Sequence, residues 1–236
     1  MSMKSLRFRH LVAVISIVII YVSCDTTDTA KPGEDKSLVT PAQPVKEVVS
    51  SKTKKKKSVP VQHTVKISAP VSFTARLGDA KDFVQRNGYS MEYCFLIDMS
   101  IKSGKNRFFV YNLETNTVLM AGLTAHGSCN TQFISQARFS NAMDCGCSSQ
   151  GKYKVGSSYM GEWGKSFRLY GLDNSNSNAF KRGIVIHAHD GVPDEEIYPR
   201  VLVNSYGCPM VSHSFFAKLS KVIEGSDKPI LLWIFE

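Results

Sequence analysis

With 236 residues, 43% of them hydrophobic, the chain is long enough for one globular domain with appendages. Its formal charge of +9 is unevenly spread: residues 1–70 hold 12 Lys+Arg against 5 Asp+Glu, and the remainder holds 17 against 15. A nearly neutral folded part excludes a nucleic-acid-binding domain, which would carry its cations there, interleaved with aromatics.

The N-terminus reads as an export signal. Lys4, Arg7 and Arg9 precede an apolar run from Leu11 to Val22, closed by Ser23 and Cys24. That run is shorter than the roughly 20 residues a membrane span needs. Cys24 resembles the acceptor cysteine of a bacterial lipoprotein, with Tyr21-Val22-Ser23 in place of the lipobox; the alternative is a plain cleaved signal or a short uncleaved anchor. We therefore expect a signal over 1–24, a Lys-rich disordered tether over 25–68 around Lys54-Lys55-Lys56-Lys57, and a folded domain over 69–236. The lysine run reads as a solvated spacer before a ligand for anionic lipid or wall polymer.

The domain opens with an expected helix carrying Ala80, Phe83 and Val84 and stopping at Asn87-Gly88. β-rich runs follow at 93–99, 107–113 and 118–124, separated by turn signals at 103–106 and 114–117, and again near 153–155, 167–170, 184–187 and 230–235. A second helix is expected over 213–224 from Phe215, Phe216, Leu219, Val222 and Ile223, with Gly225 as its stop. The fold class is mainly β, with one or two packed helices.

The chemistry concentrates in Ser205-Tyr206-Gly207-Cys208-Pro209. Gly207 lets the backbone approach a substrate carbonyl and Pro209 stiffens the exit, so Cys208 reads as a nucleophile on a tight turn. Lying just before the expected helix start, the thiol would gain from the helix dipole as a thiolate. Upstream, Gly183-Ile184-Val185-Ile186 is a strand delivering His187, with His189 two residues on, and a loop through Asp190-Gly191 can fold either imidazole back to the thiol. The bland reading is a buried cysteine and two satisfied histidines.

These residues resemble the L,D-transpeptidase (YkuD-like) catalytic domains of bacterial cell-wall enzymes, in which a strand-end histidine precedes a Ser-x-Gly-Cys turn. Here those are Ile186-His187-Ala188 and Ser205-Tyr206-Gly207-Cys208. The chain is most similar to the type common in Bacteroidetes, through Ala125-His126-Gly127, Ser148-Ser149-Gln150-Gly151-Lys152-Tyr153, Ser166-Phe167-Arg168-Leu169-Tyr170-Gly171 and Asn178-Ala179-Phe180-Lys181-Arg182-Gly183. The resemblance implies a β-sandwich-like fold over about 75–236, export to the cell envelope, peptidoglycan stem peptides as substrate and no cofactor. It implies Cys208 as nucleophile and His187 as base, with the Gly207 and Cys208 amides as oxyanion donors, Ser205 supporting the turn, and His126, His189 and Tyr206 in or behind the substrate cleft. Three positions depart from the pattern: Ala188 for glycine, Asn204 for an arginine able to orient a substrate carboxylate, and Met210 for Arg or Asn.

On this reading a thiolate–imidazolium pair attacks a stem-peptide carbonyl, the terminal D-Ala leaves, and an amine or water resolves the thioester. The rivals are an L,D-carboxypeptidase and a non-catalytic wall-binding lipoprotein. Apart from Cys24 and Cys208, four cysteines remain, Cys94, Cys129, Cys145 and Cys147, with three possible pairings. A bridge from Cys129 to Cys145 or Cys147 fits the loop they share. The single-residue spacing of Cys145-Gly146-Cys147 is not that of a structural zinc site, so no metal is expected.

Overall fold

The computed structural model describes residue 70 and residues 73–236. The expected signal over 1–24, the acceptor Cys24 and the tether over 25–68 lie outside the described residues. The elements run α1 (Phe73–Asn87), β1 (Cys94–Asp98), β2 (Phe108–Asn112), β3 (Thr117–Gly122), β4 (Gly151–Gly161), β5 (Gly164–Gly171), a 3-10 turn (Asn174–Asn176), β6 (Val185–Ala188), β7 (Met210–Val211), α2 (His213–Gly225) and β8 (Leu231–Phe235). The fold is mainly β with two helices, as the residue pattern indicates.

All eight strands join one sheet in the order β3-β2-β1-β8-β4-β5-β6-β7. Strand β8 is the hinge of this order, parallel to β1 and antiparallel to β4. Its residues, Leu231–Phe235, are all buried, as a strand covered on both faces requires. One face packs on α2 through Phe108, Tyr153, Phe167, Ile186 and Phe215. The other packs on α1 over β8, β1 and β2, with the Phe73 ring edge-on to Phe109 at 4.8 Å and to Phe235 at 5.8 Å.

Helix α1 starts seven residues before the expected apolar face, because Phe73 and Leu77 extend the stripe by two turns. Helix α2 starts where expected, and the Ser212 hydroxyl accepts the Phe215 N–H at 3.2 Å as its N-cap. Strand β4 runs eleven residues where only three were expected. Gly156, Ser157 and Ser158 weaken its pattern, yet it is held by antiparallel pairing along β5 with a register shift between Val155 and Ser158.

After β3 the chain returns to the sheet's far edge. Ala125 donates to the Met210 carbonyl at 2.9 Å, and Gly127 bridges Ser205 in parallel. This contact, between segments some eighty residues apart, frames the Cys208 turn.

Candidate active site

Cys208 sits between that turn and β7, and its surroundings explain the residues beside it. Gly207 has φ +115°, and a Cβ there would lie 2.6 Å from the Cys147 carbonyl oxygen and 3.1 Å from Arg182 Nη2, so the position admits glycine alone. The Ser205 hydroxyl accepts the Gly207 N–H at 3.0 Å. Around it, Ser205 N–H donates to the His126 carbonyl and Ser128 N–H to the Ser205 carbonyl, both at 2.8 Å. Ser148 Oγ receives the Gly127 N–H and donates to the Gly207 carbonyl at 3.3 Å.

The Gly207 N–H is occupied by Ser205, whereas the Cys208 N–H has no hydrogen-bond partner among the described residues. Gly207 and Ser205 shape the turn, and the Cys208 amide is left open among the described residues.

The thiol lies against the edge of β6. Cys208 Sγ is 3.9 Å from the Gly183 carbonyl, and the nearby Val185 backbone favours its charged form. His187 follows Val185 by two residues, hence on the same side of the strand, and is in register with Met210 of β7. Its ring is buried, with Nδ1 3.0 Å from the Ala188 carbonyl. A carbonyl only accepts, so Nδ1 carries the proton and Nε2 keeps its lone pair.

The surroundings act on both groups in the direction opposite to a thiolate–imidazolium pair. Burial pushes the Cys208 thiol above its ordinary range against the opposing pull of the Val185 amide and the Arg182 guanidinium. Burial likewise lowers His187, with a smaller contribution from neighbouring His189. Both directions favour thiol and neutral imidazole over thiolate and imidazolium.

Trp163, which the residue pattern did not mark, occupies the β4–β5 hairpin tip. Its indole stacks on the His187 ring at 5.5 Å with planes 26° apart and is tilted against His189, also at 5.5 Å. A half-exposed indole stacked on this ring holds its orientation and would favour an imidazolium there. His189 itself is tied down, its Nδ1 accepting the Gly191 N–H at 2.9 Å. Tyr206 is 81% exposed and stands between a cleft of about 790 Å³, shared with Phe133, Leu202 and Asn204, and a cavity of about 270 Å³ shared with Asn130 and Arg182.

His126 is placed behind the turn, not in a cleft: it is 1% exposed. Buried Arg107 donates to the Thr124 carbonyl and, at 2.8 Å, to His126 Nδ1, so the His126 proton sits on Nε2, which lies 3.2 Å from the Asn204 amide nitrogen and beside the Ile134 backbone. Burial and the Arg107 charge lower His126 to about 4, while burial lowers Arg107 itself to about 9 against the pull of Asp98. The three departures are likewise accounted for. Ala188 supplies the carbonyl that fixes His187, and Met210 is buried in a small core with Leu123 and Leu202. The Asn204 amide holds the Ile134 backbone at both ends, at 2.8 and 3.0 Å.

The cysteine question resolves to a Cys129–Cys147 disulfide, S–S 2.10 Å, leaving Cys94, Cys145 and Cys208 free. Cys147 is thereby unavailable to a metal, and among the described residues no group of three His, Cys, Asp or Glu could hold one. Arg182, also unmarked by sequence, ties this loop to the turn: it donates to the Ser140 carbonyl at 2.9 Å, Ser149 Oγ at 2.6 Å and the Cys147 carbonyl at 2.5 Å.

Comparison with known proteins places this geometry. The sequence profile of the L,D-transpeptidase catalytic domain matches residues 70–233. No protein of curated function matches the chain. Similar solved structures are the Ldtfm–avibactam carbamoyl enzyme (12% identity, TM-score 0.40, 61% of this chain and 49% of that one), an L,D-transpeptidase from Mycobacterium smegmatis (12%, 0.37, 61% and 59%) and the helical cell shape determining protein Pgp2 from Campylobacter jejuni (13%, 0.36, 66% and 55%). The chain thus spans about half to three fifths of the length of these relatives, and the likeness is remote. The profile, covering more than half of the sequence, carries the assignment: the chain belongs to the L,D-transpeptidase catalytic domain family.

Proposed function

We propose that the protein is a cysteine-dependent peptidoglycan L,D-transpeptidase. The observation that carries this reading is the thiol's position: Cys208 Sγ lies at the Gly183–Val185 edge of the strand whose His187 leaves Nε2 as a lone-pair acceptor. His187 Nε2 takes the thiol proton as sulfur attacks the donor peptide's carbonyl carbon, and the free Cys208 amide receives the developing oxyanion. One such donor lowers the barrier by about 3 kcal/mol. Collapse breaks the C–N bond, His187 returns its proton to the departing amine, and a thioester remains. An acceptor side-chain amine on a neighbouring stem then attacks, giving the cross-link and restoring the thiol.

The same reading takes residues 1–24 as an export signal with Cys24 as lipid acceptor and 25–68 as a tether, so that the domain works from a membrane anchor in the cell envelope. Nucleic acid has no part in it. The test is mass spectrometry of the full-length protein and its Cys208→Ala variant incubated with disaccharide-tetrapeptide. A Cys208-dependent dimer lacking one D-Ala is the expected product. Tripeptide alone would make the protein an L,D-carboxypeptidase, and an inert, folded protein with a free thiol would leave a wall-binding module.

A further inference from the structure

A second group of sulfurs lies beside the nucleophile turn. The Cys129–Cys147 bridge has a free thiol next to it, Cys145, two residues before one of its ends. The Cys145 sulfur accepts the Cys147 N–H at 3.4 Å and lies 3.8 Å from the Ser140 carbonyl. Its chain neighbours are both fastened to the segment at the other end of the bridge. The Asp144 carbonyl accepts from Asn130 Nδ2 at 2.6 Å, and the Gly146 carbonyl accepts the Cys129 N–H at 3.0 Å. Cys145 is therefore held alongside Cys129 by the two residues that flank it.

Access decides which sulfur an attacking thiolate meets. Cys129 and Cys145 are half-buried, whereas Cys147 is buried. Cys145 thus attacks Cys129, and Cys147 is the leaving group. Cys129 also has backbone to relax: at φ 53° it holds a left-handed conformation that suits Asn130 (55°) and Asp144 (55°) better than a cysteine. Bridges from Cys129 to Cys147 and to Cys145 close loops of nearly equal length, so chain entropy favours neither.

The exchange balances within the chain. Cys145 loses its proton to solvent, its thiolate bonds to Cys129 Sγ, the Cys129–Cys147 bond breaks, and Cys147 Sγ leaves with the electron pair and takes up a proton. One disulfide and one thiol stand on each side, so no oxidant or reductant enters.

Its effect falls on the Cys208 turn. The Cys147 carbonyl accepts from Arg182 and packs on Gly207, and Ser148 Oγ joins the Gly127 N–H to the Gly207 carbonyl. On the other side Ser128, next to Cys129, donates to the Ser205 carbonyl. The Cys129–Cys147 bridge ties these two supports to each other.

We infer that Cys145 is a second reactive sulfur, a thiol–disulfide exchange site that moves the bridge from Cys129–Cys147 to Cys129–Cys145 and unties the two supports of the nucleophile turn. The inference concerns the frame of Cys208 and holds for any substrate that thiol serves.

The test reads the bridge directly. Full-length protein is equilibrated without reductant, and its free thiols are blocked with N-ethylmaleimide at about pH 5, where thiolate is scarce and exchange stops. The disulfide is then reduced and labelled with iodoacetamide. Fragmentation of the tryptic peptide 139–152 assigns this second label to Cys145 or Cys147. It is expected on Cys145 in roughly one molecule in ten, with loop entropy equal and the packing of Cys147 worth about one hydrogen bond. Cys147→Ser should carry a Cys129–Cys145 bridge and Cys145→Ser the Cys129–Cys147 bridge. Cys208 should react with iodoacetamide about tenfold more slowly in the first variant than in the second, since small displacements of a reacting group lower its rate steeply. Cys147→Ala takes the place of the serine variant if that does not fold. A second label confined to Cys147, a blocked Cys129 with both Cys145 and Cys147 in the bridge, a folded Cys147→Ser protein with Cys129 and Cys145 both free, or equal Cys208 rates would each overturn the inference.

Discussion

At the scale of single residues, the free thiols differ by surroundings, not by type. Burial alone pushes Cys94 up to about 12, while Cys208 is also raised by burial but drawn back by Val185 and Arg182. Iodoacetamide should therefore label Cys208 in the native protein at a rate that climbs with pH to beyond the ordinary thiol range, and should leave Cys94 untouched until the chain unfolds. Arg182→Gln should shift that profile further alkaline; an unshifted profile would mean that the guanidinium braces the loop without acting on the sulfur. His126 offers a second test. Its folded value near 4 lies below the unfolded 6.5, so between these pH values the unfolded chain binds a proton that the native state refuses. The resulting stability, on the order of 3 kcal/mol, is complete above pH 6.5, drains as pH falls towards 4 and changes no further below that. Urea midpoints measured across this range should show the slope, and His126→Gln, able to accept from Arg107 and donate to Ile134, should flatten it.

At the scale of elements, the nucleophile turn depends on a contact a side chain cannot share. Gly207→Ala places a methyl 2.6 Å from the Cys147 carbonyl at a φ of +115°, so the turn must shift away from the Cys147 loop. We expect a loss of about 1–3 kcal/mol in stability together with a fall of more than tenfold in Cys208 alkylation rate. Retained alkylation with only the stability loss would show the turn to be more tolerant than its packing indicates. This position also marks what could be read in advance. Glycine before cysteine and proline after it announce a tight turn from residue type alone, and the β-branched run into His187 announces a strand. Trp163 and Arg107 carry no such local mark, and Arg182 stands in a recognisable stretch that does not reveal its task. Arg182 meets Cys147 across 35 positions and Arg107 meets His126 across 19, so their roles exist only once the sheet has brought distant segments together. The length of β4 was hidden for a related reason: its Gly and Ser residues pair because β5 is there, not because they favour strands.

For the whole molecule, the Cys129–Cys147 bridge closes a loop whose carbonyls and serines seat the turn. Reduction of this 18-residue separation should cost about 3 kcal/mol by the loop-entropy argument, read as a drop in urea midpoint with added reductant. An unchanged midpoint would mean that packing alone holds the loop. The sheet order has a consequence of a different kind. Strand β8 follows every other strand in sequence yet lies between β1 and β4, so the two halves of the sheet share no ladder without it. A nascent chain can zip β1 to β3 as one hairpin meander and β4 to β6 as another, but they remain separate sub-assemblies until residues 231–235 arrive between them. His187 rides on the second sub-assembly with Cys208 just beyond it, while the buried Arg107 behind the turn rides on the first. The frame around Cys208 is therefore a late product of folding: it draws on both sub-assemblies, through the Ala125–Met210 and Gly127–Ser205 contacts, and is complete only when they have met.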